Sequence, residues 1–221
     1  MLAISVVGTI AAIVIAFPFV GIGDDSNQVD PVAHPVASDS IATSLPPAVV
    51  MARSDATELR MPVVRERITA FVFRAVDNPA ARELRPGDGI DYHVAKIAGS
   101  SGPATAGLDI GAPAGTPVYP PVDGTITSVS DYRVAGRVEG YEILIEPSRG
   151  SSVAVRVSQL SPFDGQNPPE IGRKVSAGAE PPIGRVHDLA GIAELPVGRY
   201  TSDAGNSVHL EVLATGDIPV G

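Results

Sequence analysis

From Arg85 to the end, the chain alternates short apolar runs with clusters of turn-forming residues. Apolar runs of strand length fall at Ile90–Ile97, Thr116–Tyr119, Gly124–Ser130, Glu142–Glu146, Ser152–Val157, Lys174–Ser176, Ile183–His187 and Ser207–Ala214. Turn signals separate them: PGDG at 86–89, the loop GSSGPATAG at 99–107, Val122-Asp-Gly, Ser148-Arg-Gly and Ser176-Ala-Gly. Many short strands punctuated this way predict an all-β, antiparallel two-sheet domain over 85–221. A weak internal echo, GTPVYPPVDGTI against GRKVSAGAEPPIG, suggests a sheet folded back on itself as a barrel-sandwich hybrid.

The pattern upstream is different. Val64, Ile68, Phe71, Val72 and Ala75 follow helical spacing, with Pro62 at the start and Asn78-Pro79 at the end. This predicts a helical lead-in over 62–84. The alternation Ile68, Ala70, Val72 leaves a strand in a two-sided core as the other reading. Residues 24–61 are rich in Pro, Ala, Ser and Asp without either periodicity, and read as an extended linker. Residues 1–23 hold no charged side chain and are dominated by Ile, Val and Phe, about the length of a membrane-spanning helix. They lack a basic start and a small-residue cleavage site, which favours an uncleaved single-pass anchor over a signal peptide. Asp24 and Asp25 follow directly and favour placing the domain on the extracytoplasmic side.

Composition narrows the function classes. The chain has 221 residues and a net charge of −9, from 16 basic and 25 acidic side chains. Without a basic cluster it is a poor partner for nucleic acid, whose phosphates need Lys and Arg. The absence of cysteine excludes disulfides, a thiol nucleophile and thiolate metal sites.

Two stretches carry candidate chemistry: Thr105-Ala-Gly-Leu-Asp109, followed by IGAPAGTPVYPPVDGTITSV, and Asn206-Ser-Val-His-Leu-Glu-Val212. They resemble the lysostaphin or LytM-type peptidoglycan metalloendopeptidases, which carry H-x-G-x-D and, near the end, H-x-H. Further pieces fit the same frame: Asp123-Gly124 and its strand, Gly140-Tyr141 before Ile143-Leu-Ile145, and Gly172-Arg-Lys-Val-Ser-Ala-Gly178 before Pro182-Ile-Gly184. Together they span about residues 100–214.

The resemblance implies a zinc site, and this chain departs from it. The family's ligands are the His and Asp of H-x-G-x-D and the second His of H-x-H; here Asp109 and His209 remain, and Thr105 stands in the third position. Two further family histidines flank the zinc-bound water, and their positions are held by Gln159 and Ser207. A hydrolytic zinc needs three protein ligands, an open position for water and a base nearby. A threonine hydroxyl is a poor zinc ligand, and neither glutamine nor serine shuttles protons at neutral pH. No cofactor is therefore expected; zinc, if held at all, would be held weakly, and an Asp109–His209 polar pair is favoured over a metal. His93 and His187 are the candidate replacement ligands. Ser207, His209 and Asp109 also suggest a serine triad, but no nucleophile elbow accompanies them. Arg185, Arg199, Tyr132 and Tyr200 are candidates to flank a groove that holds an anionic peptide.

The expected function is that of a non-catalytic envelope protein binding peptidoglycan or a partner wall hydrolase, anchored in the membrane through residues 1–23. A divergent zinc endopeptidase using His93 or His187 is the second expectation, and a structural adaptor with a hybrid barrel the third.

Overall fold

The structure, a computed structural model, describes residues 44–96 and 102–217. All regular elements among these residues are strands, joined in places by single 3-10 turns. In chain order the strands are β1 (Val50–Arg53), β2 (Glu58–Arg60), β3 (Ala70–Arg74), β4 (Arg85–Pro86), β5 (His93–Ala95), β6 (Gly107–Gly111) and β7 (Pro117–Val118). They continue as β8 (Gly124–Val134), β9 (Arg137–Glu146), β10 (Val153–Ser161), β11 (Lys174–Val175), β12 (Gly184–Val186) and β13 (Ser207–Ala214). The large sheet runs β11-β8-β9-β10-β13-β6-β3-β5, with β12 joining β10 to β7, and a small sheet runs β2-β1-β4. Pairing is antiparallel except between β3 and β5. The large sheet is open from β11 to β5, so the barrel closure expected of a hybrid barrel is absent.

The apolar positions explain the layering. Leu108 and Ile110 on β6, Ile143 and Ile145 on β9, Val155 and Val157 on β10, and Val208, Leu210 and Val212 on β13 alternate along their strands and share one buried cluster. One face of the large sheet thus becomes the core, and period two sends the intervening side chains to the opposite face. Those intervening positions on β6 and β13 carry the polar residues Asp109, Ser207, His209 and Glu211, with Gly107 and Gly111 beside Asp109 and Leu213 at the end of β13.

Three expectations are corrected upstream. The helix expected over 62–84 is a 3-10 turn at Arg65–Arg67 followed by β3. The helical spacing arose because neighbours Val72 and Phe73 are both fully buried, one on each side of the strand. Two-sided burial destroys the alternation that marks a half-exposed strand. The linker expected over 24–61 ends earlier, because Met51, Ala52, Leu59 and Met61 are core residues and β1 and β2 belong to the domain. The domain accordingly includes residues well before 85. The expected membrane helix at 1–23 lies outside the described residues; among those described, no helix is long and apolar enough to cross a membrane.

Candidate functional site

Strand register assembles the site. Across the sheet, Val72 on β3 faces Asp109 on β6, Asp109 faces His209 on β13, and His209 faces Ser158 on β10. Two residues along, and therefore on the same face, Arg74 faces Gly107, Gly107 faces Glu211, and Glu211 faces Arg156. Two neighbouring rungs thus gather Arg74, Asp109, His209, Glu211 and Arg156 on one patch. Gly107 is the empty place within it. A Cβ there would lie 2.6 Å from both His209 Cε1 and Val76 Cγ1, so glycine makes the room in which the imidazole lies.

The patch is wired by charge. His209 Nδ1 donates to Asp109 Oδ1 at 2.7 Å, and His209 Nε2 donates to Glu211 Oε1 at 3.0 Å. Ionised carboxylates only accept, so both contacts favour the protonated form of the ring. Arg74 Nε donates to the second oxygen of Asp109 at 2.7 Å. Its Nη2 lies 3.2 Å from His209 Nδ1 and 3.5 Å from Nε2, addressing the ring and not one lone pair. Asn78 Nδ2 donates to Glu211 Oε2 at 3.0 Å, where Arg156 Nη1 also approaches to 3.5 Å.

Protonation follows these contacts. Burial opposes charge on His209, but the Asp109 charge and the hydrogen bonds to Asp109 and Glu211 outweigh it, and its pKa is raised. Burial likewise pushes Asp109 up; the charges of and hydrogen bonds from His209 and Arg74 prevail and hold it below the usual carboxylate range. Glu211 is lowered against burial by the His209 hydrogen bond and charge, with Arg156 and Asn78 adding to them.

Gln159 and Ser207, the residues expected to stand in place of proton-handling histidines, are joined to each other. Ser207 Oγ donates to Gln159 Oε1 at 2.9 Å, and both side chains are buried. Gln159 sits at a β-bulge between Val157 and Leu160, with φ at +65°. The bulge aims its amide along the sheet toward β13. Ser207 therefore makes no hydrogen bond to His209, and the serine-triad arrangement is not formed.

Above the patch lies a polar groove of about 290 Å³, lined by Arg74, Val76, Asp77, Asn78, Tyr132, Glu142, Arg156, Ser158, Gln159, His209 and Glu211. No family model and no curated protein matches this sequence. Solved structures with a similar fold include a candidate M23 peptidase from Pseudomonas aeruginosa, at 23% identity and TM-score 0.32 over 48% of this chain and 37% of that one. They also include the SpoIIQ–SpoIIIAH pore-forming complex, at 20% identity and TM-score 0.40 over 71% and 86%. A third is the deep-sea M23 metalloprotease pseudoalterin, at 16% identity and TM-score 0.39 over 72% of each chain. This chain spans little more than a third of the first of these.

Several residues expected at the site stand elsewhere. Thr105, half-buried in the turn before β6, does not line the groove. His93 is exposed on β5, where its ring stacks on Tyr200 at 4.3 Å. His187 packs near Gly140, and its buried Nε2 has no partner among the described residues. Neither histidine lines the groove. Of the four candidate flanking residues, Tyr132 reaches it. Arg185 lies over Phe163 at 4.3 Å, and Arg199 pairs with Glu194.

Sequence reading missed Arg74, Asn78, Arg156 and Glu211. Glu211 was within reach, since Ser207, His209 and Glu211 alternate on one strand. Arg74 was hidden by the helical reading of its segment.

Proposed function

We propose that this LytM-like domain is a non-catalytic module of the cell envelope that binds peptidoglycan or a partner wall hydrolase through its polar groove. The observation that carries the reading is the buried Ser207–Gln159 hydrogen bond. Hydrolysis in such a groove needs a side chain that takes a proton from water and returns it to the leaving group. A hydroxyl bonded to an amide does neither, and both sites for that work are filled by this pair. The wall context comes from the frame around Asp109 and His209. Residues 1–23 would hold the protein in the membrane with the domain outside, and the segment that follows would tether it.

The donor set does not fit a zinc ion. A zinc-binding histidine must present a lone pair, and a metal at His209 would have to displace its bonds to Asp109 and Glu211. Both oxygens of Asp109 are engaged, one by His209 and one by Arg74. Among the described residues, no group of three or more His, Cys, Asp or Glu is arranged to hold a metal. No hydrolytic step is therefore derived for this groove.

The test uses the full-length chain in detergent with purified wall sacculi. The protein is expected to co-sediment with sacculi, or to be retained by an immobilised wall hydrolase, and to release no soluble wall fragments. Replacing both Tyr132 and Arg156 with Ala should weaken the retention by roughly 10-fold or more, as loss of central aromatic and arginine contacts does elsewhere. Fragment release that a chelator abolishes would sink the proposal.

A further inference from the structure

The groove's charge is built into the chain in a way that the non-catalytic reading does not require. Arg74 is the last residue of β3, fixed on one side by pairing with Gly107. Past it the chain is fixed again: Ala214 N donates to the carbonyl of Ala80 at 2.8 Å, Arg82 N donates to the carbonyl of Val212 at 2.8 Å, and Ala81 bridges Leu213. Residues 74–82 thus cross from β3 to the far end of β13 as a strap held at both ends by backbone. Val76 closes on the Gly107 space and Asn78 holds Glu211 from the same strap. The Asn78 amide is itself oriented, because its Oδ1 accepts from Ala80 N at 3.1 Å. The guanidinium at the strap's start is therefore a placed group and not a swinging surface side chain, with 20% of its side chain exposed.

Its position is informative. It contacts Asp109 and His209 together, the two residues that match metal-ligand positions in the frame. Asp109 is completely buried and needs a cation beside it. A guanidinium suits that task, since it stays charged, is weakly hydrated and offers its donors in a fixed fork.

We infer that Arg74 is the resident cation of this groove: it stands beside the joined Asp109–His209 pair, takes the charge-balancing role that a metal ion would have there, and makes the site independent of metal. The strap delivers the charge as part of folding. A divalent ion is excluded by like charge from Arg74 and by its occupation of Asp109. The counter-charges near the guanidinium are Asp109 from β6 and Glu211 from β13, and the titratable His209 ring faces it from β13; Asp77 lies on its own strap and Arg156 on β10 across the groove. The inference stands apart from the wall-binding proposal, because its readout is metal and stability and involves no wall material.

The experiment is thermal melting of the full-length chain in detergent, stripped with EDTA and then titrated with Zn²⁺, with metal content measured after dialysis. The native chain is expected to melt at the same temperature with EDTA or Zn²⁺ and to retain no zinc. R74A is expected to lose about 10 °C in Tm, the scale for breaking a buried ion pair in a domain of this size. Zn²⁺ should return part of that loss in R74A and none in R74A/D109A. R74K, which keeps a cation on the strap, should fold and refuse zinc. Zinc retained by the native chain overturns the inference, as does an R74A that melts like the native chain or ignores zinc. If R74A does not fold, R74K and R74Q decide together: a neutral glutamine that supports folding as well as the lysine does shows that the role is not that of a cation.

Discussion

At the scale of single residues, Gly107 and His209 define each other. The imidazole occupies the space that a side chain at 107 would fill, 2.6 Å from the Cβ that glycine lacks. Gly107→Ala should therefore displace the ring or its strand and cost roughly 1–3 kcal/mol, the range for overpacked sites. Chemical denaturation would measure it. The protonation of the patch sets a pH window. Asp109 and Glu211 are lowered, so their stabilisation is present above the ordinary carboxylate range, near pH ~4, and is lost as pH falls through their lowered values. His209 is raised, so its stabilisation is full below the ordinary imidazole value of ~6.5 and is lost as pH rises through its raised value. Stability should fall on both sides of this window. His209→Gln, which cannot be charged, should melt lower near neutrality and show a flatter alkaline limb; an unchanged alkaline limb would separate His209 from the effect.

At the scale of elements, β1 and β2 are structural parts of the domain. Leu59 is fully buried between exposed Glu58 and Arg60, the alternation of a strand lying on a core. Leu59→Ala should cost about 2–5 kcal/mol, the scale for truncating a buried leucine. A residue in a tether would cost almost nothing, so the melting temperature discriminates directly. The long β8–β9 hairpin offers a contrasting change. Its turn places Ala135 at φ +48° and Gly136 at +82°, both in the left-handed region. Two positive φ values match the turn that suits the twist of paired strands, and asparagine is preferred over alanine at its first position. Ala135→Asn should therefore stabilise the domain by about 0.5–1 kcal/mol, raising its midpoint in urea without changing the slope.

At the scale of the whole molecule, the groove lies where β3, β6, β13 and β10 run side by side, and its charges come from every one of these strands. Arg74, Asp109, His209 and Arg156 span more than a hundred residues of sequence, yet the antiparallel register sets them on neighbouring rungs. Such a site depends on the sheet being complete. Removing residues before 62 should unfold the domain, or lower its melting temperature steeply, because the small sheet and its core residues leave together. A chain starting near residue 44, which keeps the small sheet, is the comparison. Equal stability of the two truncations would place the small sheet outside the cooperative unit.

The sequence by itself determined the strand content from Arg85 onward and the all-β class, and it singled out Asp109 and His209. These were legible because turns and period-two alternation are local signals, and because the resemblance sits in contiguous motifs. Tertiary structure decided the rest. Val72 and Phe73 are buried on opposite sides of one strand, so their segment shows no alternation, and β3 could not be told from a helix. The place of Arg74 beside Asp109 follows from the pairing of β3 with β6, which joins residues 35 apart in the chain. The bond between Ser207 and Gln159 needs a bulge that no local pattern announces. Whether a histidine offers a lone pair or a proton depends on which carboxylates the fold brings to its two nitrogens, and only the assembled sheet supplies both.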